Sequence, residues 1–440
     1  MANDSAKAFL DSSSRSTSFL SASSSKLVNT SVSILNEQSE SLVRHLIEKV
    51  TSNEIDLKLE RANEFLSLYL KFTKLDFSEK SQIIMHPAYH YWLRAMRRVV
   101  SNLDKNKIEK FVSDFPSLIW IEVLNKRDTV VELKLDSYGG LRCLRFCRFL
   151  EFGQKYASQK CWVSCQGGVF IFQFEDGLRV EVPSEDVRGI VDEPLPTIEE
   201  NGYIVNKLYH VDELFTISSR DEYLRVRFTG TNQRKDGVDF FDVVNRDYDT
   251  ALHSKKITRC LNFLKTVWLE QYKDLANFTK VAVPRNSGPN NTIAFTISSR
   301  QGAIFLDDMD EIEMAESIIH ENAHVKLRYL QLIDSILENF NDDDAKYKVS
   351  WRPDPRPLPG ILEGVYVFSH VAEFYIRLNE KRQNIEYLKR AGQILADVGV
   401  AISILDENGR FTELGGRFFD EIKNWRSNMM ASLDDLKISA

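Results

Sequence analysis

The chain of 440 residues has no apolar run long enough to span a bilayer, so no membrane-crossing helix is expected. It has no excess of positive charge: 57 Lys and Arg stand against 64 Asp and Glu. The resulting net charge of −7 gives no general electrostatic reason to bind nucleic acid or an anionic membrane surface. It has five cysteines, an odd number, and no export signal. Reduced thiols in a cytoplasmic protein are therefore expected rather than a disulfide framework. The opening "MANDSAKAFLDSSSRSTSFLSASSSK" is crowded with serine and has no continuous apolar core, which reads as a flexible tail over 1–35. There is no internal repeat, and only eight histidines are present. A chain this long is expected to divide into two or three units.

Residues 36–160 carry helical periodicity. "SLVRHLIEKV" sets Leu42, Val43, Leu46, Ile47 and Val50 on one stripe, and Pro87 suits the first turn of a helix. "LRCLRFCRFLEF" also reads as a helix, with Cys143 and Cys147 on an apolar face. Together with Cys161 and Cys165 they are expected to be buried thiols, with a structural zinc as the alternative. From 161 to 275 the period shortens. "GGVFIFQFEDGLRVEVP", "YLRVRFTG" and "DGVDFFDVV" behave as strands, and a helix follows from about 248. In 276–440, "KVAVP", "TIAFTIS" and "GAIFLD" read as three short strands leading into a long helix. The expected class is α+β: an N-terminal helical region, a central mostly antiparallel sheet and a C-terminal helical metal-binding domain.

The chemistry concentrates in "SIIHENAHVKLRYL". Four residues of α-helix advance about 400°, so His320 and His324 project from one face, one turn apart. Their ring nitrogens can close on one divalent ion at about 2.0–2.2 Å. Glu321 lies about 100° round, where a carboxylate can reach a metal-bound water without ligating. Downstream, "LPGILEGVYVFSHVAEFYIRL" reads as a second helix. Its Glu363 is the expected third ligand, and His370, seven residues on, is a substitute ligand, a group that orients a ligand, or a histidine packed in the core. Between the two helices lies "SWRPDPRPLPG", stiffened by proline. Arg352 and Arg356 are cations suited to a carboxylate, one for a cosubstrate and one for an acid such as Asp354. Arg328, one turn beyond His324, is a further candidate. Two other histidine groups carry less: His210-x-Asp212 with His253 in the strand region, and His86 with His90, which read as packing on a helix surface.

Two chemistries suit such a donor set. Zinc would polarise a water with Glu321 as general base, which makes a metallopeptidase. Iron(II) would leave positions open for a 2-oxo acid and dioxygen. The stretches "HENAHVKLRYL" and "WRPDPRPLPGILEGVYVF" resemble the HExxH-domain proteins of peptide natural-product gene clusters. The likeness covers the C-terminal part of the chain and departs from the family pattern at Glu363 and Ala323. It implies an iron- and 2-oxoglutarate-dependent oxygenase that hydroxylates the β-carbon of a residue in a ribosomal precursor peptide. It also implies that His320, His324 and Glu363 hold iron and that the arginine-proline stretch shapes the cosubstrate pocket.

Overall fold

The computed structural model describes residues 24–440, apart from 56, 125–128, 147, 189–197, 201–202, 208, 212–214, 218–220, 225–226, 230–239, 243–249, 286–293, 341, 343–344 and 440. The fold is mixed helix and sheet, with helices first, strands in the middle and helices last. The N-terminal layer comprises α1 (Ser24–Thr51), α2 (Leu59–Thr73), α3 (Phe77–Ile84), α4 (Pro87–Ser101), α5 (Lys105–Asp114) and α6 (Pro116–Leu124). Helix starts follow local chemistry: Asp76 accepts from the Glu79 amide. His86 Nδ1 caps α4 at Ala88 N, ahead of Pro87 in the first turn.

Helix α1 reaches back into the serine-rich segment that was expected to be a flexible tail. Leu27, Val32, Ile34 and Leu35 are buried there, and Ser31 is buried among them. Apolar residues at helical spacing outweigh the serines between them.

The strands begin earlier than 161. Strand β1 (Val131–Lys134) pairs with β4 (Lys160–Gln166), which continues through β5 (Val169–Phe174) to β6 (Arg179–Pro183), all antiparallel. A second antiparallel sheet holds β2 (Gly140–Cys143), β3 (Arg148–Glu151), β7 (Ile198–Glu200) and β8 (Tyr203–Lys207). The segment "LRCLRFCRFLEF" is therefore a hairpin and not a helix. Gly139 turns the chain at φ +77°, a left-handed conformation that glycine adopts without strain. Cys143 and Cys161 are buried in different sheets, and burial first, then Glu132, pushes the Cys161 thiol up to about 12. Cys147 lies outside the described residues.

A mixed sheet carries the chain to the motif. Its order is β14 (Ala294–Thr296), β15 (Ala303–Leu306), β13 (Val281–Pro284), β10 (Phe215–Ile217) and β9 (Tyr209–Val211). Strands β15, β13 and β10 run parallel, with an antiparallel strand at each edge. Parallel neighbours require crossovers. A short helix, α7 (Ser184–Arg188), follows β6. The two-stranded pair β11 (Arg227–Thr229) and β12 (Phe240–Asp242) and the helices α8 (Thr250–Val267) and α9 (Leu269–Phe278), broken at Trp268, lie between β10 and β13 in the chain. The three short strands expected in 276–310 are all present. The motif helix α10 (Glu311–Ile333) follows, capped by Asp310 at the Ile312 and Glu313 amides. Three helices close the chain: α11 (Leu358–Arg382), α12 (Ile385–Asn408) and α13 (Glu413–Ser439). Gln383, left-handed at φ +43°, separates the first two, a break the periodicity did not indicate.

Helix α10 packs against α1, α8, α9, α11, β14 and β15, which puts the motif in the middle of the molecule. His86 and His90 are buried rather than on a surface, and His90 Nε2 lies 3.1 Å from the hydroxyl of Tyr329 on α10. Of the other histidine group, Asp212 lies outside the described residues, His210 is on β9 and His253 is buried in α8.

Burial holds these rings neutral. It pushes His86 and His370 down to about 4 and His90 to about 3. In the unfolded chain each takes up a proton near pH 6.5. The stability they preserve is thus complete above pH 6.5 and is lost as pH falls toward 4, by about 1.4 kcal/mol per pH unit for each histidine. Urea unfolding should show a lower midpoint at pH 5 than at pH 7, and equal midpoints would contradict the burial of these rings.

Candidate metal centre

From Ile318 to Leu330, α10 is buried at every position except His320, His324 and Arg328. These three are one turn apart, so a single polar strip opens from an otherwise enclosed helix. The Nε2 atoms of His320 and His324 face each other at 3.2 Å. Two nitrogen ligands about 2.1 Å from one ion, at an angle of about 100°, are separated by about that distance. The donor pair therefore fits a divalent cation. Burial first, then the neighbouring His324, pushes His320 down to about 3, so its ring is neutral as a ligand must be.

Helix α11 brings Glu363 to this pair, as the sequence suggested, but to its far side. Oε1 of Glu363 lies 2.7 Å from Nδ1 of His324. Burial alone would raise the Glu363 carboxyl. The hydrogen bond from His324 and the charges of His324 and Arg328 outweigh it and bring the group down to about 2. A carboxylate only accepts, so Nδ1 of His324 carries a proton, and Nε2, which faces His320, is the nitrogen that would ligate a metal. This is how a buttressing acid orients a metal-binding imidazole. Among the described residues, no three His, Cys, Asp or Glu side chains converge as a ready metal site. Two ligand nitrogens and an orienting acid are what the geometry provides.

Two further polar groups border the strip. Nη2 of Arg328 is 3.5 Å from Oε1 of Glu363, while its buried Nη1 has no hydrogen-bond partner among the described residues. Glu321 is buried and hydrogen-bonded to Thr296 on β14. Its Oε2 has no partner among the described residues. Burial raises its carboxyl above the ordinary range, against the pull of His324, Arg328 and the Thr296 hydrogen bond.

The arginine-proline stretch folds back on itself instead of running extended. Tyr347 and Arg356 exchange both backbone hydrogen bonds, at 2.8 and 2.9 Å, which puts Arg352 and Asp354 on an exposed tip. Arg356 is 3.1 Å from Asp354, whereas Arg352 has no ion pair among the described residues. His370 lies two turns beyond Glu363 in the core. It is flanked by Trp268, Tyr366 and Trp425, with no hydrogen bond to the histidine pair.

Composition patterns did not reveal the wall of the site. Phe368 meets the His320 ring edge-on at 5.3 Å, and Trp351 backs it at 5.0 Å. Gly364, directly after Glu363, was the available signal, because Trp351 lies where its Cβ would be. No family model matches the chain, and no curated sequence is similar to it.

A methyl group on Gly364 would stand 2.8 Å from the Trp351 ring. Gly364→Ala should therefore displace Trp351 and lower stability by about 1–3 kcal/mol. Thermal unfolding against wild type tests this, and an unchanged midpoint would mean that the indole is free to move aside.

Proposed function

We propose that this protein is an iron(II)- and 2-oxoglutarate-dependent oxygenase that hydroxylates the β-carbon of a residue in a ribosomal precursor peptide. The observation that carries the reading is the strip on α10. Two facing imidazole nitrogens and, one turn on, a guanidinium with an unpartnered N–H open from a helix that is otherwise enclosed. Iron(II) with 2-oxoglutarate would supply the power to oxidise an unactivated C–H bond with dioxygen, the 2-oxo acid leaving as succinate and carbon dioxide.

The chain's own residues supply the rest. His320 and His324 would hold the ion, with Glu363 fixing the proton on Nδ1 of His324. Arg328 has a free donor for a cosubstrate carboxylate, a charge-assisted contact in a site largely shielded from water. Arg352 stands on the exposed tip, where it can meet an incoming acid, and Arg356 keeps that tip folded through Asp354. Strand β14 ends its sheet beside α10, and an extended peptide can pair with such an edge. No helix among the described residues is long and apolar enough to cross a membrane, in keeping with a substrate met in solution.

A zinc peptidase with Glu321 as base is the second reading. One feature favours it: a buried carboxyl with a free oxygen and a raised affinity for protons. Cosubstrate turnover separates the two. Protein given iron(II), 2-oxoglutarate, air and the precursor peptide should yield succinate and a peptide heavier by one oxygen atom. Peptide fragments formed with zinc and no cosubstrate would establish the peptidase instead.

Three substitutions sharpen the test. Glu321→Gln should leave a measurable part of an oxygenase activity but almost none of a peptidase activity. Arg328→Ala should raise the KM for 2-oxoglutarate by roughly 10- to 100-fold, with a smaller change in kcat, as loss of a charged hydrogen bond does. Glu363→Gln can still accept from Nδ1 of His324, so metal affinity should stay within about tenfold of wild type, whereas Glu363→Ala should lose about 10- to 100-fold. Equal, severe losses in both would make Glu363 a ligand.

A further inference from the structure

The antiparallel sheet of β1, β4, β5 and β6 treats its two edges differently. In β6, the register with β5 turns the backbone groups of Arg179, Glu181 and Pro183 outward, and Pro183 has no N–H to offer. Proline on an outer strand keeps other chains off an edge. Strand β1, at the other edge, has no proline. Leu135 donates to the Gln159 carbonyl at 2.9 Å, so Val131, Leu133 and Leu135 direct their backbone groups toward β4. Glu132 and Lys134 direct theirs away from the sheet, where those groups have no backbone partner among the described residues.

A groove of about 1340 Å³ runs beside this edge, with Val130 to Lys134 along one wall and residues of α2 and α5 along the other. Phe65, Leu68 and Val112 make part of the helical wall apolar. Arg61 on α2 reaches Glu132 at 3.0 Å and ties the two walls together, and Lys160 joins the same carboxylate at 2.8 Å.

The groups on offer decide the occupant. Outward N–H and C=O groups recur at every second residue, about 6.8 Å apart, which is the repeat of an extended main chain. Five cations and four carboxylates line the groove among the described residues, a near balance that gives no pull on a polyanion such as nucleic acid. Helices α2 and α5 stand in the way of the sheet of a second folded copy, whereas a single extended chain can lie between them and β1.

We propose that this groove takes one extended peptide segment of a partner protein, which pairs with β1 as a fifth strand of the sheet. Its amides and carbonyls meet those of Glu132 and Lys134, and alternate side chains lie against the apolar wall. None of His320, His324 and Glu363 lines the groove, so the proposal does not depend on the function assigned to the metal centre.

Selection of random short peptides on the full chain tests it, with the Lys134→Pro chain as counter-target. That variant loses an outward N–H and keeps the bonds between β1 and β4, whereas Lys134→Ala keeps the N–H and loses the side chain. The expected result is peptides that bind wild type and Lys134→Ala alike, and folded Lys134→Pro at least tenfold more weakly. N-methylation of alternate amides in a selected peptide should weaken it by as much. Hydrogen exchange read at single residues should find the Lys134 amide unprotected in the chain alone and slowed at least tenfold with peptide bound. Protection of that amide in the chain alone would mean that the chain, or a second copy of it, already covers the edge, and would overturn the proposal. So would a selection that yields no peptide able to tell the two chains apart, or binding indifferent to N-methylation.

Discussion

Two imidazole rings that meet tip to tip inside a protein leave the fold with an electrostatic problem. Each ring has a lone pair or a proton at the point of contact, and water is largely shut out. His324 cannot turn away, because Glu363 holds its other nitrogen at 2.7 Å, and His320 is confined by Phe368. A shared proton can settle the contact, and so can a cation lying between the rings. Much of the remaining architecture keeps that contact in place. The mixed sheet supports one flank of α10, and α1 and α9 enclose others. Helix α11 delivers the acid, and Trp351, seated on Gly364, ties the arginine-proline strap to it.

The motif helix and the strands before it were legible because their signals are local. An i, i+4 histidine pair, an Asp cap and three short apolar runs between polar breaks each specify geometry within a few residues. The mixed helix-and-sheet class was legible for the same reason. Two local readings failed where two periods coexist. "LRCLRFCRFLEF" presents apolar residues at both helical and strand spacing, and in the fold Gly140 to Cys143 pair antiparallel with Arg148 to Glu151, Gly140 leaving the space that the Phe149 ring fills. In 24–35 the serine content hid an apolar stripe of helical period.

The candidate site was only half visible. Spacing placed His320, His324 and Arg328 on one strip, and the strip is there. Which atom of Glu363 meets which nitrogen depends on how two helices cross, and no spacing along the chain encodes that. The aromatic wall is likewise a product of tertiary packing. The path of the proline-rich stretch was not legible either: two backbone hydrogen bonds between Tyr347 and Arg356 bend it into a closed loop. Of the readings open for His370, packing in the core is the one the structure bears out: seven residues of α-helix displace it by about 10 Å along the axis, among Trp268, Tyr366 and Trp425.

The hydrogen bond between His90 and Tyr329 joins two parts of the molecule that are 239 residues apart in the chain. One partner belongs to the N-terminal helices and the other to the helix bearing the histidine pair, and α1 reinforces the same junction. The N-terminal helices are thus not an accessory module that evolution could exchange for another by recombination. A descendant that acquired a different N-terminal region would also have to rebuild the back of its metal-binding helix. The lineage is therefore expected to inherit the two ends of this protein as one piece.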